Sequence, residues 1–143
     1  MLLWRISEFP TLDGEGGKLF AGRWHSKGNA VCYTSDHPAS CLCEMLVHVD
    51  MNSLPDSFQL LRIESEFEVF EKMETLESRM IPSIEITREI GDHWLKENKS
   101  AILRVPSAIL PEAFNYLINP MHSDFIKIKI DKILRVPLDP RLK

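Results

Sequence analysis

Short apolar-rich runs at residues 2–6 and around Ala30–Thr34 predict two short strands. Between them Asp13 to Gly28 holds five of the six glycines, predicting a loop with unusual backbone freedom. From Pro38 the period changes. Ala39, Leu42, Cys43, Leu46 and Val47 recur at the i, i+3, i+4, i+7, i+8 spacing of one buried helix face, with Ser35 or Asp36 as cap and Pro38 in the first turn. Cys41, Glu44 and His48 fall on the neighbouring stripe, so Glu44 flanks the apolar face and is placed to line a cleft.

Further along, Phe58–Ile63 and Glu66–Phe70 read as strands, Thr87–Glu97 as a helix carrying Ile90, Trp94 and Leu95, and Ile102–Val105 as a buried strand ended by Pro106. Ile126, Ile128 and Ile130 alternate with Lys127 and Lys129. After Asp131-Lys132 a second run, Ile133–Val136, predicts an antiparallel hairpin. Strands outnumber helices and show no regular βαβ alternation, so the predicted class is α+β.

The 143 residues suit a single domain spanning 1–143, and 44% hydrophobic with 27% charged residues excludes a disordered or collagenous chain. With 17 basic against 21 acidic residues the net charge is -4, which argues against a broad phosphate-neutralising surface and direct nucleic-acid contact, while leaving room for a local cationic pocket. No run approaches the roughly 18 apolar residues of a membrane span, and Met1–Ile6 lacks a charged leader followed by a long apolar stretch; a cytosolic protein without membrane contact is expected. Cys32, Cys41 and Cys43 are read as reduced thiols.

Two phosphate-binding motifs fail on inspection. A G-x-G-x-x-G begun at Gly14 meets Leu19, and a P-loop ending at Lys18 meets Leu12 and Leu19. A metal hydrolase is a rival reading, because Cys32, His37, Cys41, Cys43 and His48 lie close in sequence. Cys41 and Cys43, however, point about 200° apart on a helix and lack zinc-ligand spacing, so no metal is expected. Arg23 beside Gly22, Tyr33 on a strand, Glu44 on a helix flank and Arg5 on the first strand form a different set. A forked guanidinium suits phosphate, Gly22 lets backbone approach it, a phenol offers a stacking surface, and a carboxylate stabilises an oxocarbenium-like sugar. The same residue types also serve as surface salt bridges and core edges. Ser107 follows the strand-ending Pro106, where a hydroxyl can face a crevice or cap a turn, and Asn119-Pro120 reads as a turn initiator.

Trp4-Arg5, Gly22-Arg23-Trp24, Tyr33-Thr34-Ser35, Glu44 within Cys43–His48, Gly91–Leu95, Val105-Pro106-Ser107, Asn115–Pro120 and Asp139–Leu142 together resemble, in order, the RES domain family. The resemblance implies the toxin of a bacterial toxin–antitoxin pair. Its fold would be similar to ADP-ribosyltransferases, a small mixed, split β core with flanking helices and a cleft for NAD. It would cleave the nicotinamide–ribose bond by hydrolysis or phosphorolysis and deplete NAD; the alternatives are ADP-ribosyl transfer to a protein target and a non-enzymatic binding module. On this resemblance Arg23, Tyr33 and Glu44 are the catalytic set, and Arg5, Gly22, Arg23, Tyr33, Ser107 and Asn119 contact NAD, which is substrate rather than cofactor. The implied partners are a helix-turn-helix, Xre-like antitoxin covering the site and a second copy of the chain. The family often has asparagine after Gly-Arg-Trp, where this chain carries His25.

Overall fold

A computed structural model describes residues 1–77 and 83–143 of the chain. Its strands are β1 (Leu2–Ile6), β2 (Cys32–Ser35), β3 (Ser57–Ser65), β4 (Glu74–Thr75), β5 (Ile102–Pro106), β6 (Phe114–Ile118) and β7 (Ile128–Pro137), in the sheet order β4-β5-β6-β2-β1-β3-β7. All pairings are antiparallel except β4 with β5. Four helices, α1 (Glu15–Leu19), α2 (Pro38–His48), α3 (Phe67–Glu71) and α4 (Ile84–Glu97), accompany the sheet among the described residues, so the predicted α+β class holds.

The sheet is pinched at its middle. β1 and β2 share one register pair, Trp4 with Ser35, whereas β1 pairs with β3 from Leu2–Glu64 to Ile6–Leu60 and β2 pairs with β6 along its whole length. Next to the pinch the Arg5 side chain replaces a missing ladder bond, its Nη1 donating to the Tyr33 carbonyl at 3.0 Å. Two half-sheets therefore meet along a seam. On the half built from β5 and β6, Ile102, Tyr116 and Ile118 pack with Leu3, Ile63 and Phe70, while Leu103, Val105 and Leu117 alternate to the other face and pack with Trp24 and Trp94. α2 covers the other half through Leu42, Met45, Leu46 and Val49 against Trp4, Phe58 and Leu60.

Several elements differ from expectation. The predicted α2 face included Ala39, Cys43 and Val47, but Ala39 and Val47 are exposed and Cys43 is half-buried. Leu42, Met45 and Leu46 keep the helical spacing with Met45 in place of Cys43, Val49 just past the helix joins them, and together they bury more bulk. The cap is His37, whose Nδ1 accepts from the Ala39 amide, rather than Ser35 or Asp36. Glu66–Phe70, expected as a strand, is instead the turn of α3, because Val69 and Phe70 are both buried and neighbours on a strand would point to opposite faces. The expected C-terminal hairpin does not form. β7 runs straight along β3, with Asp131 bulged out between the Arg62–Lys132 and Ile63–Ile130 pairs and its carboxylate gripped by Arg62 at 2.7 Å. Ile126 lies in a 3-10 turn, Ser123–Lys127, and is exposed.

The glycine-rich segment is more ordered than a loop. It contains α1, and after it a tight turn pairs Gly22 with His25. His25 is buried; its Nε2 donates toward the carbonyls of Gly17 and Phe20, each at 3.0 Å, and its Nδ1 accepts from the Tyr33 hydroxyl at 2.7 Å. The same hydroxyl accepts from the Trp24 amide at 3.1 Å, so the donors and acceptors match a neutral imidazole carrying its proton on Nε2. α4 holds the turn from the other side. Thr87 Oγ1 donates to the Arg23 carbonyl at 2.5 Å, Arg88 Nε to the Gly22 carbonyl at 2.8 Å, and Asp92 accepts from the Ser26 amide and hydroxyl and from Asn29. Gly91 permits this approach: a Cβ there would stand 1.5 Å from the Trp24 carbonyl oxygen.

Two expectations follow. Gly91→Ala must push α4 off the Trp24 backbone and should cost at least about 3 kcal/mol of unfolding free energy in a urea titration. Burial pushes the Tyr33 phenol up to about 12. Between pH about 10 and 12 the unfolded chain loses this proton while the folded chain keeps it, so stability present below pH 10 should fall by about 3 kcal/mol across that window. Tyr33→Phe should flatten this alkaline slope, leaving a remnant from Tyr116, whose phenol burial also shifts upward.

Candidate active site

A cavity of about 670 Å³ opens on the seam, within the usual size range of small-molecule sites. The two-residue period of the strands sends Tyr33 and Ser35 from β2 and Asn115 from β6 to one face, because Ser35 pairs with Asn115 and Tyr33 with Leu117. The Cys41, Glu44 and His48 stripe of α2 forms the facing wall, as its spacing predicts, and the turn at Ala21–Trp24 closes a third side. Arg5 reaches in from β1.

Arg23, Tyr33 and Glu44, the expected catalytic set, all line this one cavity with Arg5 and Gly22. Among the described residues Arg62, Arg135 and Arg141 carry carboxylate partners, whereas neither Arg5 nor Arg23 does. Arg5 is fixed by its bond to the Tyr33 carbonyl, and its Nε is buried without a partner. The cavity therefore presents two cations that no anion among the described residues neutralises. Burial holds the Tyr33 phenol protonated, so it presents a ring and hydrogen bonds to the cavity rather than a phenolate.

Glu44 is tethered through one oxygen. Its Oε1 accepts from Asn115 Nδ2 at 2.8 Å and from Ser107 Oγ at 3.4 Å. Ser107 closes the β5–β6 connection, where its oxygen accepts the amides of Ile109 and Leu110, which aims its own proton at Glu44. Ser107 is buried behind Glu44 and does not itself line the cavity, so it reaches a ligand only through that carboxylate.

Of the expected NAD contacts, Asn119 lies outside the cavity: it is buried, donates to Asn98 Oδ1 at 2.8 Å and accepts from the Met121 amide, which makes it the staple of the turn after β6. Gly22 lines the cavity, but what requires a glycine there is the Tyr33 phenol, since a Cβ would stand 2.4 Å from its hydroxyl. Asn115, Ser35 and His25 were not singled out by residue type. A polar Asn inside the apolar run Phe-Asn-Tyr-Leu-Ile was the available signal for the first, and the strand pairing that joins it to Ser35 was not.

Cys41 also lines the cavity, donating to the Trp4 carbonyl, and burial pushes its thiol up to about 11, which leaves it a poor nucleophile at neutral pH. Cys32 donates to the Leu12 carbonyl elsewhere in the core. Among the described residues no group of three or more His, Cys, Asp or Glu side chains is placed to hold a metal ion, and no helix is long and apolar enough to cross a membrane.

Known proteins resemble this chain in sequence and in fold. A toxin named Res from Pseudomonas putida is 38% identical over 133 residues, covering 91% of this chain and 92% of the relative. A Prs ADP-ribosylating toxin from a Sphingobium species is 33% identical over 152 aligned residues, covering 97% and 94%. The fold matches a chain in the crystal structure of the Mycobacterium tuberculosis MbcT–MbcA toxin–antitoxin complex with a TM-score of 0.70 and 14% identity, over 95% of this chain and 84% of that one. The RES domain family model matches residues 2–139, nearly the whole length over which the seam, its two arginines and the tethered glutamate are built, and the chain belongs to the RES domain family.

Proposed function

We propose that this chain is the toxin of a toxin–antitoxin pair and that it breaks the nicotinamide–ribose bond of NAD in the seam cavity. The observation that carries the reading is the convergence on a single cavity of one tethered carboxylate and two guanidiniums without carboxylate partners among the described residues. Arg5 and Arg23 hold the pyrophosphate by charge-assisted hydrogen bonds. Tyr33 packs against the nicotinamide ribose, and its ring is kept in place by His25, the Trp24 amide and the space that Gly22 leaves.

Glu44 then supplies the chemistry. As the C1′–N1 bond lengthens, its electron pair moves onto the nicotinamide ring and cancels the ring's positive charge, while positive charge grows on the ribosyl carbon and ring oxygen. A carboxylate facing that carbon lowers the barrier electrostatically, and the departing base leaves neutral without acid assistance. An acceptor oxygen from water or phosphate bonds to C1′ and releases its proton. A protein side chain as acceptor is the second reading, favoured by the 33% identity to a relative named for ADP-ribosylation. A helix-turn-helix antitoxin silences the site by covering it; the apolar rim of Ala21, Val47, Ala108 and Ile109 gives such a cover a surface to pack on.

Purified protein incubated with NAD should release nicotinamide, measured by chromatography, and Arg23→Ala and Glu44→Ala should each lower the rate at least about 100-fold with the circular dichroism spectrum unchanged. Undiminished turnover in both variants would refute the assigned site. Asn119→Ala should behave differently: a loss of about 1–3 kcal/mol in stability, from the unpaired buried groups it leaves, with kcat near wild type.

A further inference from the structure

We infer that Asn115, itself held by Ser35, is a positioning residue that locks the Glu44 carboxylate so that Oε1 is occupied and Oε2 is free to face the ribosyl carbon. The inference rests on the proposed NAD-cleaving reading and adds to it a residue whose type alone suggests no catalytic role.

Three observations carry it. Both protein donors to Glu44 land on the same oxygen, Oε1, and among the described residues Oε2 has none. The two donors are unequal: Ser107 stands at 3.4 Å, the outer limit of a hydrogen bond, while Asn115 Nδ2 stands at 2.8 Å, the short distance of a charge-assisted bond. Finally, the Asn115 amide has one sensible orientation. Its Oδ1 accepts from the Ser35 hydroxyl at 3.1 Å, and a flipped amide would set Oδ1 against the Glu44 carboxylate, acceptor against acceptor.

The scaffold behind this chain of contacts is rigid where Glu44 is not. Ser35 and Asn115 are register partners on adjacent strands, and Asn115 is also paired with Val105 of β5, so the amide sits on a sheet bonded on both sides. Glu44 projects from the flank of α2 on three rotatable bonds into an open cavity. Without the amide, its carboxylate would be restrained only by the long Ser107 contact. Displacing a charge by about 1 Å from a developing cation costs on the order of 100-fold in rate.

The test is nicotinamide release by the full chain, with kcat and KM determined from pH 5 to pH 9 for the wild type, Asn115→Ala, Asn115→Asp and Ser35→Ala. Asn115→Ala should lower kcat about 10- to 100-fold and move KM less than about threefold, because the phosphate-holding arginines are untouched. Ser35→Ala, which frees the amide to turn, should show a smaller loss with the same kcat-against-KM split. Asn115→Asp is the discriminating variant. At alkaline pH two adjacent carboxylates repel and activity should match or fall below that of the Ala variant. On acidification the pair holds one shared proton, the introduced carboxyl donates to Glu44 as the amide did, and activity should recover.

Arg5, Arg23, Tyr33, Cys41 and His48, the other titratable groups lining the cavity, are common to every variant, so the difference between the Asp and Ala profiles reports the new pair alone. A merely structural Asn115 would lower the melting temperature of both variants without separating those profiles. Wild-type kcat in Asn115→Ala, or coincident Asp and Ala profiles beside an active wild type and an inactive Glu44→Ala, would overturn the inference while leaving the proposed function standing. A wild type without turnover would overturn that function and this inference together.

Discussion

Everything at the site depends on the two half-sheets meeting through one backbone pair, Trp4 with Ser35. A continuous ladder between β1 and β2 would close the sheet and leave no room for a cavity at its centre. A complete break would leave β1 and β2 free to drift apart. The single pair holds the strands together at one point, and the Arg5 side chain makes a second connection to the Tyr33 carbonyl. A residue to which the proposed function gives a ligand is thereby also a structural strut. Its guanidinium is fixed before any ligand arrives, which reduces the ordering that binding must accomplish.

The same economy runs through the turn that carries Arg23. Tyr33 is an active-site wall whose hydroxyl bridges the Trp24 amide and His25, and His25 in turn ties the end of α1 through Gly17 and Phe20. α4 seats the outside of the turn with Thr87, Arg88 and Asp92 and comes within reach only because residue 91 lacks a side chain. Two glycines thus serve packing against aromatic and backbone groups: Gly22 makes room for a phenol and Gly91 for a carbonyl. His25 occupies the position where the resemblance leads one to expect asparagine. Its ring spans from Tyr33 to two carbonyls on the α1 side, a reach of three hydrogen-bond partners that fixes both the ring and its tautomer.

The readable part of the sequence was the part governed by local periodicity and by ordered short motifs. The α2 stripe of Cys41, Glu44 and His48 reached the cavity because a helix keeps the phase of its residues whatever it packs against. Its apolar face was read with Cys43 in place of Met45, since several columns were apolar and only tertiary packing chooses among them. Glu66–Phe70 and the Ile126–Val136 region misled for the same reason: period-two alternation is shared by strands, short turns and bulged edges, and β3 offered β7 a longer partner than its own neighbour did. Asn119 and Asn115 show the limit most clearly. Both sit in one six-residue motif, and which of them reaches Glu44 depends on strand register, a non-local property.

On the proposed reading, the charges in the cavity let a protein with a net charge of -4 take an anionic ligand. Long-range attraction is weak at physiological salt, where the screening length is about 8 Å, so recognition falls to groups inside the cleft. There two guanidiniums lack carboxylate partners among the described residues, while the nearby glutamate is tethered to neutral donors, Asn115 and Ser107, instead of to either arginine. A Glu44 paired with Arg5 or Arg23 would cancel the charge of both partners and occupy the carboxylate oxygen that no donor among the described residues holds. Neutral amide and hydroxyl donors orient the carboxylate without cancelling its charge, and on the proposed reading that leaves the cations for a pyrophosphate and the anion for a ribosyl cation within one cavity.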